Sequence, residues 1–515
     1  MFIFFACPKK TNQKKRPMKL IKTTFAFLFI LSTLGTTAQN FSATVVDAKT
    51  GEPIPFGTVE TGKNHGVITN EEGVFTLDLA RIKNPRDSVF ISSMGYAKKG
   101  ISLQTQTNDV IALVPKPFEL QSVFVSNTNL SPREIIEKVK ENLNTNYTVD
   151  VTKKKIFFRQ SVFNTMNKVD FGFKESTIEE LNKELMDSIA GLIPRNSSYY
   201  REVVGDIYGD YSKHKFHVDK AAELYDKTKD VSIDGLSEKL ERIFKENVKP
   251  DSYLKIKSGI FGTKVQLDSV VNSEKEKKDG ENIAIEKPAP NENRFQEHIK
   301  DRISELYEQL FFHEDSKIDI LVKSNRYEFT LNSYTFIDDA PVFILKFEPK
   351  GKKDFKGVMY VNTDDFAIVR LEFDNVRPLK KFGLLGITFR QNVFRGKMLF
   401  RKDESGTYSP RYLELENGSY IGVDRPLKVI EKNKHVKGRR KQNELSLQIN
   451  VQTTGIKKYE LVVFDTETIS NSAYNSVVEN KLAKATYLSK YDPTFWQGYT
   501  IMEPNAAIQA FKVVE

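Results

Sequence analysis

The sequence predicts an all-β N-terminal sandwich followed by an α+β body with a large curved antiparallel sheet. Three observations predict it. Residues 41–126 are a succession of short alternating runs separated by turn residues, the pattern of a small sandwich. Between Ser131 and Phe312, helical periodicities are interleaved with strands. From Ser316 to Ile469, alternating runs follow one another across short turns, which favours a sequential antiparallel meander. The 515 residues, 39% hydrophobic with 37 Phe and 20 Tyr, are ample for two to four domains of about 100–200 residues each.

Residues 1–38 read as a targeting segment. Lys19 and Lys22 precede the apolar run Phe25 to Leu34, and Thr36 and Ala38 sit at the −3 and −1 positions before Gln39. This is the layout of a secretory signal peptide. The run is too short for a hydrocarbon core of about 30 Å, which takes roughly 20 apolar residues. Met18 is the expected translation start, with Met1 to Pro17 as an upstream extension. Seven basic and no acidic residues precede Gln39, so the formal charge of +10 falls to +3 for the rest. That near-neutral remainder excludes a nucleic-acid partner on charge grounds. Cys7, the only cysteine, is lost with the leader, leaving no disulfide or Cys–metal chemistry.

The sandwich is expected over 39–126. FSATVVD is a strand, AKTGEPIP a turn, FGTVE a strand, and GVITNEEGVFTLDL two strands about a turn at Asn70–Gly73. DSVFISSMGY and DVIALVP complete about seven strands. Gly51 and Gly73 supply positive-φ turn positions, and Phe75 and Tyr96 are candidate core aromatics. Three segments, Asp47 to Ile54, Thr69 to Phe75 and Ser92/Ser93 to Tyr96, carry a D-x-x-T-G-E-P-[IL] turn, a T-[ND]-x-x-G-x-F turn and an S-x-x-G-[YF] strand end. This region resembles the carboxypeptidase-like regulatory domain of Bacteroidetes surface proteins. The resemblance implies a transthyretin-like sandwich serving as an accessory module, with Glu119 to Val125 as its closing strand. It does not extend to the plug and barrel of a TonB-dependent receptor, for which the chain is too short.

The body is expected over 127–515. SPREIIEKVKENLN (Ser131 to Asn144) is an amphipathic helix: Ser131 is the N-cap, Pro132 opens the first turn, and Glu134 completes a capping box. Ile135, Ile136, Val139 and Leu143 form its apolar stripe. IFFRQSVF is a strand, STIEELNKELMDSI a helix, and Val218 to Val248 helical with a break near Gly235. YLKIKSGIFGTKV is a strand with glycine turns. Residues 273–293 are a polar, charged loop expected to be disordered, and Arg294 to Phe312 is helical. Turns at Lys350–Lys353, Asn362–Asp365 and Asp403–Gly406 punctuate the meander. GVMYVNTDDFAIVRLEF resembles a strand-turn-strand repeat of periplasmic lipoprotein carriers, in which a sheet curls around a helix to hold acyl chains. YDPTFWQGYTIMEPNAAIQAF resembles the C-terminal segment of long Bacteroidetes proteins that carry the same sandwich.

Catalytic patterns are not found. The six histidines form no H-E-x-x-H and no H-x-x-E pair, so the sandwich brings no peptidase chemistry with it. No G-x-S-x-G elbow occurs. His214 and His217 are the only close pair; on a strand they take opposite faces, on a helix one. With only Asp210 and Asp219 nearby, a solvated pair is favoured over a metal site. His313-Glu314-Asp315 reads as a helix end, and Ser258 to Lys264 as a glycine turn rather than a phosphate loop. Asp364-Asp365 and Glu71-Glu72 read as turn caps rather than Ca²⁺ ligands. Lys434 to Asn443 is a basic loop that reads as a solvated hairpin tip rather than a contact for lipid phosphates or lipopolysaccharide. Trp496, with Phe495 and Tyr499, reads as a clamp holding the tail to the body rather than a sugar platform.

No residue is therefore assigned a catalytic, cofactor or metal role, and no cofactor is expected. The leading expectation is a non-enzymatic exported envelope protein, in the periplasm or at the outer membrane. Its role would be binding or assembly, with an envelope protein or a lipid as partner and a peripheral membrane contact. The alternatives are a lipid or lipoprotein carrier with an apolar cavity in the sheet, and a hydrolase whose site is assembled from distant carboxylates. A polar cleft of converging carboxylates would favour the hydrolase; a closed core with an exposed apolar patch would favour the binding protein.

Overall fold

The computed structural model describes residues 40–513, apart from 63–64, 80–81, 83–87, 104–108, 117–129, 148–149, 250–251, 267–294, 338–339, 404–405, 434, 436, 438–439 and 481. The leader, the expected strand Glu119 to Val125 and the charged loop 273–293 lie outside the described residues.

Seven short strands build the N-terminal part: β1 (Asn40–Asp47), β2 (Thr58–Gly62), β3 (His65–Ile68), β4 (Val74–Asp78), β5 (Ser88–Ser92), β6 (Lys99–Ser102) and β7 (Val110–Leu113). They form a three-stranded sheet, β4-β1-β7, and a four-stranded one, β3-β2-β5-β6. Val45, Val59, Phe75, Ile91 and Leu113 fill the shared core. The turns form as their residues demand. Asp47 Oδ1 accepts the N–H groups of Lys49 and Thr50 at 2.6 and 3.0 Å, and Gly51 follows at φ 76°. Asn70 Oδ1 accepts from Glu72 and Val74 at 3.0 and 2.8 Å. Gly73 sits at φ 72°, where a Cβ would meet the Val45 carbonyl oxygen at 2.6 Å. Phe75 is buried as expected; Tyr96 is half-buried and its hydroxyl donates to Asp47 Oδ2 at 2.9 Å.

The remaining strands make one 14-stranded sheet. They are β8 (Thr152–Ser176), β9 (Asn196–Gly209), β10 (His214–Tyr225), β11 (Ser252–Ser258), β12 (Phe261–Gln266), β13 (Tyr327–Ile337), β14 (Ala340–Pro349), β15 (Phe355–Asn362), β16 (Ile368–Asn375), β17 (Lys380–Leu384), β18 (Ile387–Lys402), β19 (Tyr408–Asn433), β20 (Lys441–Thr468) and β21 (Thr486–Leu488). The main order is β13-β14-β15-β16-β18-β19-β20-β8-β9-β10-β21. The expected meander is present, and β20 then returns to pair with β8. The sheet is mixed rather than purely antiparallel, because β21 joins β10 in parallel. Register shifts within the β13–β14, β18–β19 and β8–β20 pairs mark bulges, which bend strands and add twist.

Among the described residues, four helices of ten residues or more accompany it: α1 (Pro132–Glu141), α2 (Lys183–Leu192), α3 (Thr228–Asn247) and α4 (Phe295–Tyr307). The Ser131 capping box of α1 is formed, and Ile135, Ile136 and Val139 are buried. Ile299, Ile303 and Leu306 of α4 are buried against one face of the sheet, among Phe158, Phe216, Tyr459 and Leu461. The opposite face is also apolar at the sheet's centre. Phe157, Val204, Ala222, Val462 and Phe464 there meet Phe56 and Ile68 of the sandwich and Trp496, Met502 and Ile508 of the tail. Burial on both faces explains why the central strands read IFF, VV and LVVF without alternation. Farther along the same strands, α2 and α3 cover a third patch that includes Leu447, Phe171 and Phe173.

The helical expectations need four corrections. Residues 218–225 are strand, because Ala221 and Ala222 lie between two covered faces and β9 and β21 satisfy the backbone on both sides; this outweighs the helix preference of KAAELY. The helix that follows, α3, runs through Gly235 without a break. The helix expected from Ser176 starts at Lys183, since β8 continues to Ser176 and Asn182 is the residue that caps, accepting from the Leu185 N–H at 2.9 Å. Finally, α4 ends at Tyr307 rather than Phe312.

Ile303 is fully buried between α4 and the sheet. Ile303→Ala is expected to lower unfolding free energy by about 2–5 kcal/mol, read from urea denaturation at unchanged slope.

Candidate functional site at the sandwich–sheet junction

The side chains that converge most densely lie on the sheet face beneath the sandwich. Strand register places Lys397 (β18) opposite Glu414 (β19), Glu414 opposite Glu460 (β20), Glu460 opposite Arg159 (β8), and Arg159 opposite Glu202 (β9). Five charged residues thus form one row across five strands. Glu202, Arg159, Glu414 and Glu460 are buried.

Glu414 and Glu460 are like charges in directly opposed positions, an unfavourable arrangement. Lys458 resolves it, with Nζ 3.2 Å from Glu414 and 3.3 Å from Glu460, and 2.7 Å from Glu71 of the sandwich. The Tyr412 hydroxyl lies between them, 2.8 Å from Glu414 Oε2 and 3.1 Å from Glu460 Oε1. Burial pushes the Glu460 carboxyl above its ordinary value, against the pull of Lys458 and Arg159 and with the push of Glu414. At Glu414 burial acts the same way, but Lys458 and Lys397 outweigh it and hold the carboxyl low. Burial depresses the Lys458 ammonium, but Glu460, Glu414 and Glu71 more than reverse it.

At the row's other end, Arg159 pairs with Glu202 at 2.7 Å. Its Nη2 donates to the Met502 carbonyl at 2.8 Å and its Nη1 to that of Glu503 at 3.4 Å. The second Glu202 oxygen accepts from Trp496 Nε1 at 3.0 Å. The tail is held to the row by these bonds, and Trp496 is a buried clamp. Lys220 lies 4.3 Å from the Phe495 ring and 5.0 Å from that of Tyr499.

The sandwich is fastened to the same place. Phe56 stacks on Tyr412 at 4.7 Å between ring centroids, although its own φ of 58° is a strained value for a non-glycine residue. Arg401 pairs with Glu60 at 2.7 Å. Asn70 Nδ2 donates to the Pro504 carbonyl at 3.2 Å. Glu71 and Glu72, expected as turn caps, are docking groups instead: Glu71 meets Lys458, and Glu72 accepts the Ala506 N–H at 2.9 Å. The turn they occupy is capped by Asn70.

The other sequence candidates stay apart from this row. His214 and His217 lie on a strand, the first buried and the second half-buried. His214 Nε2 is 3.3 Å from Ser304 Oγ, and its ring meets Tyr307 edge-on at 5.5 Å. Burial pushes its imidazole down to about 4, helped by Lys300. Neighbouring Lys154, which donates to Thr152 Oγ1, is lowered to about 8 by burial. Among the described residues, no three His, Cys, Asp or Glu side chains are grouped to hold a metal ion. His313 lies beyond the end of α4 and accepts the Asp315 N–H at 3.2 Å, so it ends a turn rather than a helix. Asp365 caps its turn through the Ala367 N–H and also meets Lys402 and Tyr408. Residues 258–261 form a two-residue hairpin turn, and the basic segment from 434 joins β19 to β20.

Sequence reasoning missed the row. Its signal was a charged residue amid apolar neighbours in four strands, IFFRQ, REVVG, RYLEL and KYELVV. On a strand with one covered face, each of these would point to solvent.

No family model and no curated protein matches the chain. Among solved structures, it is similar to an outer membrane lipoprotein-sorting protein domain from Vibrio parahaemolyticus, at 11% identity over 67% of this chain and 97% of that one, with a TM-score of 0.20. It is also similar to the Pseudomonas aeruginosa MucA/MucB complex, at 8% identity over 62% and 93%, with a TM-score of 0.16. Superposition this loose carries no argument for function.

Lys458→Met, which strips the shared cation from buried carboxylates, is expected to cost about 3–5 kcal/mol of stability, whereas Glu460→Gln should change it by about 1 kcal/mol or less at neutral pH; thermal and urea unfolding compare them. The His214 shift also fixes a sign. The unfolded chain takes up a proton on this residue below its ordinary value of 6.5 while the folded one resists until about 4. Its contribution to stability is therefore complete above pH 6.5 and lost as pH falls towards 4. NMR titration of the His214 ring should give a midpoint near 4.

Proposed function

We propose that this chain is a non-enzymatic exported protein of the cell envelope, with a binding or assembly role at the outer membrane. The observation that carries the reading is the use made of the converging carboxylates. Glu202, Glu414 and Glu460 are each engaged by a cation, a phenol or an indole, and the sandwich and tail roof them over. Polar chemistry at this junction fastens three segments of chain together instead of facing a substrate. The leader-like residues before Gln39 support export, and the resemblance of the sandwich to an accessory module supports a binding role. A carrier of acyl chains would need open space between helix and sheet. At α4, Ile299, Ile303 and Leu306 occupy that space.

Fractionation of cells producing the full chain tests the reading. The expected result is a processed protein beginning at Gln39, recovered with the outer membrane and free of an acyl passenger by native mass spectrometry. Recovery of unprocessed chain in the cytoplasm would overturn the envelope assignment. A stoichiometric lipid lost on extraction would replace the binding role with the carrier.

A further inference from the structure

Two hairpins meet tip to tip along one edge of β19. On that edge β18 pairs with β19 as far as Val423, and β11 pairs with it from Lys428 onward. The gap between them is residues 424–427, and each hairpin's turn points into it. The Asp424 N–H donates to the Gly386 carbonyl at 2.7 Å. Arg425 Nη2 donates to the Ser258 carbonyl at 2.5 Å, and its guanidinium lies 5.2 Å from the Phe261 ring. Arg425 is itself buried, so a charged residue lies beneath while the residues above it are apolar and exposed. Ile260 is 83% exposed, and Phe261, Phe382, Leu384 and Leu385 are each about half exposed.

The turns are unusual in what they display. Leu384 pairs with Ile387, leaving the two-residue loop Leu385-Gly386 with φ values of 50° and 80°. Such a loop ordinarily takes Asn-Gly or Asp-Gly, because a left-handed backbone is strained for a branched side chain. The opposing loop, Gly259-Ile260, has its glycine at φ 61° and puts its isoleucine where polar residues are usual. A large aliphatic side chain is therefore held out to solvent at both tips, once against backbone preference. The flanks are cationic. Residues 252–266 and 379–391 together contain six Lys and Arg and no Asp or Glu.

We propose that these paired tips dock on an anionic lipid surface, with Ile260, Phe261, Leu384 and Leu385 entering the interface and the flanking lysines meeting headgroup phosphates. Apolar side chains flanked by cations, with the exposed Asp424 between the tips held by Gln448 Nε2 at 2.7 Å, match the two layers of such a surface. The proposal rests on the envelope reading for its setting, but its test does not.

The test is flotation of the purified chain from Gln39 with phospholipid vesicles containing about one third anionic lipid, against neutral vesicles. The expected result is binding to anionic vesicles that weakens in high salt. Ile260→Ser with Leu384→Ser should reduce the partition about tenfold or more. Leu385→Asn separates docking from folding: it relieves the turn, so melting temperature should hold or rise while vesicle binding falls. Absence of vesicle binding, or binding unchanged in these variants, would overturn the proposal. Failure here leaves the fractionation result standing, and failed export leaves vesicle binding standing.

Discussion

A row of charges across the middle of the sheet is the constraint from which the rest of the architecture follows. Arg159 and Glu202 are almost wholly removed from water, and two buried charges are tolerable only when their remaining donors and acceptors are met. Strand neighbours cannot supply those partners, because their backbone groups are already spent on the ladder. The carbonyls of Met502 and Glu503 and the indole of Trp496 supply them. The tail must therefore lie across the sheet in one register.

The same logic operates at the row's other end. Glu414 and Glu460 stand opposite each other, and Lys458 and Tyr412 make that possible. Lys458 also reaches Glu71, and Tyr412 carries Phe56. The groups that reconcile the two carboxylates are thus the groups on which the sandwich rests. Apolar burial supplies bulk on both faces of the sheet, while the polar row fixes position and orientation, which burial alone leaves loose.

Much of this fold was legible in the sequence, and what was legible was local. The Ser131 capping box, the Asp47 and Asn70 turns and the successive strands from Tyr327 each depend on residues within a few positions of one another. The errors were of a different kind. VDKAAELY reads as helix until β9 and β21 stand on either side of it. Glu71 and Glu72 read as turn residues until Lys458 and Ala506 come within reach. Arg159, Glu202, Glu414 and Glu460 read as solvent-facing because a strand pattern reports how many faces are buried only when both are apolar throughout. Nothing in one strand states which charge another strand will set against it.

The bond from Arg159 to Met502 joins residues 343 positions apart. A chain made at about 5–20 residues per second takes roughly 20–70 s to lengthen by that much. During that interval Phe157 and Val204 lack the cover that Trp496, Met502 and Ile508 provide, and the guanidinium has only part of its partners. The early strand β8 thus waits for the late strand β20 and the tail, a topology of high contact order that slows folding. Closure of this face of the sheet therefore awaits the arrival of residues 496–508.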